Sequence, residues 1–179
     1  HPWKRLHCQY NGSTDNSNTY IKHSALYLEK KIKFIKIKNN VGYGNGIYEG
    51  IMASKGDYIA WCHADLQTDP HDVLKIFLKS KQQLLSENCV IKGKRIKRNL
   101  FDYFFTLGMS ALTFCFFQIK LNDINAQPKI FKKSFIDKLK ESPNDFSFDL
   151  YFSLIAKKEK FKIYEYPVVW NKRYAGEAK

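Results

Sequence analysis

Residues 56–72 read GDYIAWCHADLQTDPHD, and the fold follows from how this stretch breaks in the middle. Tyr58 to Cys62 is short, apolar and aromatic, the pattern of a buried strand. It runs straight into an acidic, turn-rich loop. Open α/β sheets meet their ligands at the carboxyl ends of strands, so a strand that empties into carboxylates marks a site as well as a fold. Asp65, Gln67 and Asp69 bring together oxygen donors of the kind Mg²⁺ and Mn²⁺ take. Pro70 suits the first turn of a following helix, with Asp69 as its cap. Val73, Ile76, Phe77 and Leu84 give that helix an apolar face.

Upstream, Ile32 to Ile37 is β-rich and reads as another strand. The loop Asn39 to Gly46 follows, and Ile47 and Ile51 then recur at helical spacing up to Gly56. The loop is neither a P-loop nor GxGxxG, because Ile47 stands where a third glycine belongs. Gly44 and Gly46 fit a close approach to phosphate or ribose equally as well as plain turn chemistry. Asn11 to Asn16 is a strong turn signal, and Ser13, Thr14 or Asp15 can cap a helix running to about Leu28. Residues 1–10 lack a clean apolar run.

Downstream, Cys89-Val90-Ile91 is a short strand. Lys92 to Arg98 then carries five cations in seven residues. The run from Tyr103 to Ile119 is uncharged and aromatic over 17 residues, but Thr106, Gly108, Ser110, Thr113 and Gln118 interrupt it. It falls short of a spanning helix. Cations abutting such a run predict membrane-interface helices over residues 97–119 on an anionic surface; a buried core helix is the alternative. Leu121 to Pro128 is a polar turn. Phe131, Phe135 and Leu139 recur at i, i+4 and i+8, which predicts a helix from Lys129 to Lys140. Pro143-Asn144-Asp145 starts another helix, with Phe148, Phe152 and Ile155 on one face and Asp149 near its start. Phe161 to Val169 reads as an edge strand, because Pro167 lacks a ladder donor. Strand and helix alternate through the first half, which predicts an α/β fold with a mainly parallel sheet, in one domain over residues 1–179.

The chain has 30 Lys+Arg against 17 Asp+Glu, a net charge of +13, which calls for anionic partners. No helix-turn-helix, ribonucleoprotein or zinc-finger signature is present, so no nucleic-acid partner is expected. Cys8, Cys62, Cys89 and Cys115 are scattered without zinc spacing, which suits free thiols in a reducing compartment.

Taken in order, NGSTDN (11–16), NNVGYGNGI (39–47), GDYIAWCHADLQTDP (56–70), KGKR (92–95), DINAQPKIF (123–131), DFSFDLY (145–151) and KRYAGEAK (172–179) resemble glycosyltransferase family 2. The branch they look most like is that of dolichol-phosphate mannosyltransferase and other polyprenyl-phosphate glycosyltransferases. The resemblance implies a GT-A fold, a Rossmann-like mainly parallel mixed sheet flanked by helices. It implies inverting, metal-dependent transfer of a sugar from a nucleotide-sugar to a lipid-phosphate acceptor, on the inner, cytoplasmic face of the cell membrane. Mg²⁺ or Mn²⁺ would be held by Asp65, with Gln67 and His63. The donor would meet Asn11, Gly12, Ser13, Asp15, Asn40, Gly42, Gly44, His63 and Ala64. Acceptor and phosphate contacts would fall to Lys94, Arg95, Asn125, Gln127, Arg173 and Lys179, and Asp65, Asp149 and Arg95 would be catalytic. The family normally opens with an apolar strand and a base-gripping loop, which this chain is expected to lack. Tyr10-Asn11 stands for the usual acidic pair, and His63 for the first aspartate of the DxD element. A non-catalytic membrane-surface or nucleotide-binding domain of the same fold is the alternative reading.

Overall fold

The computed structural model describes residues 6–12, 16–30, 32–37, 39–97 and 100–171. The chain forms two compact units. One comprises His1–Asp57 with Lys140–Phe148, the other Tyr58–Leu139 with Asp149–Lys179.

In the first unit, β1 (Leu6–Asn11) pairs in parallel with β2 (Ile32–Ile37). Between them lie two short helices, α1 (Ser17–His23) and α2 (Ala25–Leu28), in place of the single helix the sequence suggests. Ser24 makes the break. Its backbone is extended, its hydroxyl donates to the Ile21 carbonyl, and its side chain accepts from the Tyr27 N–H as the cap of α2. Next comes α3 (Tyr43–Ala53), which begins inside the glycine run.

The second unit is a four-stranded mixed sheet in the order β3-β5-β4-β6, built from β3 (Tyr58–Trp61), β4 (Cys89–Ile96), β5 (Lys129–Lys132) and β6 (Lys162–Val169). β5 runs antiparallel to both neighbours, and β4 and β6 are parallel. Its helices are α4 (His71–Ser86), α5 (Leu100–Phe117) and α6 (Phe148–Lys158). Successive side chains alternate faces. Tyr58 and Ile130 therefore face α4, where Phe77 packs edge-on to Tyr58 at 5.3 Å. Trp61, Lys129 and Phe131 face α6, where Phe152 meets Trp61 at 4.8 Å and Phe131 at 5.3 Å.

Two expectations change here. The helix expected from Lys129 is a strand followed by a 3-10 turn, Lys133–Lys138. Its i, i+4 phenylalanines still converge, because Phe131 from the strand and Phe135 from the turn join one ring cluster at 5.7 Å. The short strand expected at Cys89 extends to Ile96 and takes in most of the basic run. Pro167 lies in β6, at the sheet edge, as its missing donor requires.

Candidate active site

In the second unit the sheet register sets four residues in a row across the strands. Trp61 pairs with Lys129, Lys129 with Lys92, and Lys92 with Glu165. Two lysines thus stand side by side, 0% and 4% exposed. Buried charges persist only when paired, and each lysine has partners. Lys129 forms an ion pair with Asp149 of α6, itself 2% exposed, and its ammonium lies over the Trp61 ring at 5.4 Å. Lys92 pairs with Glu165 at 3.3 Å and donates to the Asp123 carbonyl at 2.8 Å. Burial pushes both lysine pKa values down, that of Lys129 well down.

At the end of β4, Arg95 is bound along one edge. Its Nε donates to Asp123 Oδ1 at 2.8 Å, its Nη2 pairs with the same oxygen, and its backbone N–H donates to Oδ2 at 2.7 Å. Burial works to raise the Asp123 pKa, but Arg95 outweighs it and holds the carboxyl below its ordinary range. The guanidinium face lies 4.8 Å from the Trp170 ring. Arg95, Trp170, Asn125 and Ile124 line a cavity of about 150 Å³ whose remaining wall is Phe105, Thr106 and Met109 of α5. Asn125 and Lys94 are exposed. Gln127, expected at the acceptor, is instead 1% exposed. Its carbonyl lies where a Cβ on Gly93 would be, 2.3 Å away, so the DINAQPK turn braces β4 from within.

The acidic loop is tied to the end of β6: the Asn171 N–H donates to the Gln67 carbonyl at 2.8 Å. Asp65 Oδ1 accepts the Gln67 N–H at 3.1 Å, and Leu66 between them has φ 59°. A left-handed leucine is a conformation the surrounding structure must impose. His63, Asp65 and Gln67 are half-buried and Ala64 is exposed. Asp69 does not join them. Its carboxylate accepts the His71 N–H at 2.9 Å and meets the His71 ring at 2.8 Å and Lys75 at 3.3 Å. These bonds, His71's first, hold it at a pKa of about 2. Among the described residues no three His, Cys, Asp or Glu side chains cluster to hold a metal. Asp65 supplies one carboxylate, two residues along the chain from His63. One carboxylate fits a divalent ion that takes its other oxygens from a bound diphosphate and water, as Mg²⁺ commonly does.

In the first unit, Asn11 Nδ2 donates to the Gly42 carbonyl at 2.9 Å and lies 3.3 Å from Asn40 Oδ1. Gly12 has φ 61°. The closeness that Gly42 and Gly44 permit is to their own chain. A Cβ on Gly42 would lie 2.2 Å from the Asn144 carbonyl oxygen, and one on Gly44 would lie 2.3 Å from that of Pro143. Chain packing therefore accounts for these glycines, and no open phosphate cradle is needed. Ser13, Asp15, Arg173 and Lys179 lie outside the described residues.

α5 is turned inside out. Its described large apolar side chains face outward, from Leu100 to Phe117, with Phe104 at 65% exposure and Phe116 at 79%. Of its residues with described side chains, only Thr106, Ser110 and Thr113 are withdrawn from solvent. The hydroxyls of Ser110 and Thr113 donate back to the carbonyls of Thr106 and Met109 at 3.0 and 2.8 Å. Among the described residues no helix is long and apolar enough to cross a membrane.

Sequence reasoning missed Lys92, Lys129 and Glu165 as a buried set, and Trp170 altogether. The alternation of β6 offered a signal for Trp170, since it puts that residue on the same face as Val168, the register partner of Arg95.

The model of glycosyl transferase family 2 matches residues 8–149. Glucosyl-3-phosphoglycerate synthase from Mycobacterium tuberculosis, solved with phosphoglyceric acid, superimposes with a TM-score of 0.68 at 12% identity, covering 96% of this chain and 61% of that one. A form of that enzyme with Mn²⁺, UDP-glucose and phosphoglyceric acid gives 0.67 at 11% identity over 97% and 61%. A mycobacterial protein gives 0.71 at 13% over 97% and 58%. At these identities the likeness establishes the fold. The chain spans about three fifths of the length of these structures. No curated protein matches the sequence.

Proposed function

The chain belongs to glycosyl transferase family 2, and from that premise we propose that it moves a sugar from a nucleotide-sugar to a phosphate on a lipid at an anionic membrane surface. The observation that carries this reading is α5. A helix with aromatics outward and hydroxyls bonded back to its own carbonyls suits an apolar solvent. Its exposed apolar side chains, at roughly 1 kcal/mol or more each, are worth on the order of 10 kcal/mol in an apolar environment. Lys94 and Lys97 at its N-terminal side are exposed and suit anionic headgroups. The cavity beside α5 is lined by polar Arg95 and Asn125 together with apolar Phe105, Met109 and Ile124. That combination suits a phosphate on an apolar stem.

A divalent ion on the Asp65 loop would neutralise the donor diphosphate as it leaves. Mg²⁺ and Mn²⁺ both accompany uridine-diphosphate in the solved neighbours. The chain's own residues position the reactants. Asp65 is presented by a turn fixed to β6 through Gln67 and Asn171. Arg95 is held in plane by Asp123, with its Nη1 donors available for a phosphate oxygen. A phosphate acceptor is already anionic near neutral pH, so attack on the anomeric carbon needs orientation more than a general base. This agrees with Asp149, which is buried on Lys129; we assign it to holding β5 and α6 together and not to proton transfer.

The test is a transfer assay with radiolabelled UDP-glucose and GDP-mannose and Mn²⁺. Polyprenyl phosphate in phosphatidylglycerol vesicles is compared with soluble phosphoglyceric acid. Label in the lipid phase, lost in Asp65→Ala, is the expected result. Label only in the aqueous acceptor would overturn the lipid assignment. No transfer alongside retained, metal-dependent UDP binding would favour a nucleotide-binding domain without catalysis.

A further inference from the structure

We infer that Trp170 is a positioning residue that fixes the guanidinium of Arg95 for a phosphate ester whose apolar stem lies along α5. The inference rests on the acceptor reading above and adds a residue to it.

An arginine held along one edge still pivots about that edge. Asp123 Oδ1 takes both Nε and Nη2 of Arg95 and so fixes only that edge. The Trp170 ring, 4.8 Å from the guanidinium carbon, supplies the second constraint by covering a face. Trp170 is itself fixed. It lies one residue beyond β6, and its N–H donates to the Ile96 carbonyl at 3.2 Å, extending the β4–β6 ladder. The pleat puts Trp170, Val168 and Arg95 on one face. Both Trp170 and Arg95 line the cavity of about 150 Å³, together with Phe105 and Met109 of α5. That volume is below the roughly 300–1,000 Å³ of pockets that enclose whole drug-sized ligands. It suits a phosphate and the first carbons of a stem better than a whole nucleotide-sugar. Asp123 also cancels much of the charge of Arg95, so affinity for an anion depends on the aim of the Nη1 donors more than on net charge.

The test is calorimetric binding of three probes to the whole chain without donor: decyl phosphate, inorganic phosphate and 3-phosphoglycerate. Wild type should bind decyl phosphate most tightly. Trp170→Leu, which keeps bulk and removes the ring, should weaken decyl phosphate binding about tenfold. Trp170→Phe, with a weaker ring, should fall between the two. Thermal unfolding of each variant checks the fold, and the graded Phe variant keeps the test decisive if the Leu variant is unstable. Decyl phosphate affinity unchanged in both variants would overturn the role of Trp170 and leave the acceptor reading standing. Phosphoglycerate bound more tightly than decyl phosphate would overturn the apolar stem and point to a soluble phosphate ester. No phosphate binding by folded wild type would bring down the acceptor reading and this inference with it.

Discussion

Replacing Lys129 by Met removes the ammonium from the middle of the charged row while keeping the length of the side chain. Lys129 is 0% and Asp149 2% exposed, so the carboxylate left behind cannot turn to bulk water. Breaking a buried pair from one side costs about 3–5 kcal/mol. For a chain of this length each kcal/mol moves the melting temperature by roughly 2–4 °C, so Lys129→Met should melt roughly 6–20 °C lower. Asp149→Leu alone leaves a buried ammonium beside Lys92 and should be comparably destabilised. The double variant removes both charges, and Met and Leu fit among Trp61, Phe131 and Phe152. It should recover most of the loss, because a buried pair is commonly replaced by apolar residues at little cost. Urea unfolding of wild type, both single variants and the double variant completes the cycle. A Lys129→Met variant within about 1 kcal/mol of wild type would refute the reasoning, because it would mean that water reaches the row. A double variant no better than the worse single variant would show that the pair is needed for the fold itself.

Three further outcomes follow from the geometry. Gly42→Ala should cost about 2–5 kcal/mol in urea unfolding, since its φ is 141° and the new Cβ would lie 2.2 Å from the Asn144 carbonyl oxygen; a neutral result would mean that the 143–145 segment moves freely away. Asp123 has its folded pKa lowered below the ordinary 3.8, so its contribution to stability is full above that value and is lost as pH falls through the lower folded one. Wild type should therefore lose stability more steeply than Asp123→Asn as pH falls below about 4, and parallel acid limbs would contradict the Arg95–Asp123 pairing. Changing both Lys94 and Lys97 to Gln should weaken sedimentation with phosphatidylserine vesicles by roughly thirtyfold, at about 1 kcal/mol per lysine. The same change should leave binding to neutral vesicles unaltered; equal loss on both would point to a misfolded α5.

Elements whose apolar residues lie on one side of a regular period were legible in the sequence. Tyr58–Trp61, α4 and α6 lie where the apolar pattern puts them, because each helix buries one face and the strand is packed on both, against α4 through Tyr58 and α6 through Trp61. β5 reads as helix in the sequence because Phe131 and Phe135 lie at helical spacing, although two different conformations deliver them to one cluster. The buried charges were illegible for a related reason. Lys92 looks like one cation in a solvated run until register puts it between Lys129 and Glu165. Asp149 looks like a helix-start carboxylate until Lys129 is seen beneath it. Charge pattern along the chain says how many ions there are, whereas strand pairing decides which of them lose water. The same pairing connects the row to the cavity. Asp123 accepts from Lys92 through its carbonyl and from Arg95 through its carboxylate, so one turn joins the buried Lys92 to the guanidinium at the cavity. The lysines of KGKR and DINAQPK thus gain a reason that phosphate contact alone does not supply. Lys92 holds the turn that holds Arg95 and Lys129 ties β5 to α6 through Asp149, and of the cations in these two motifs Lys94 and Arg95 are the ones left to meet an anion.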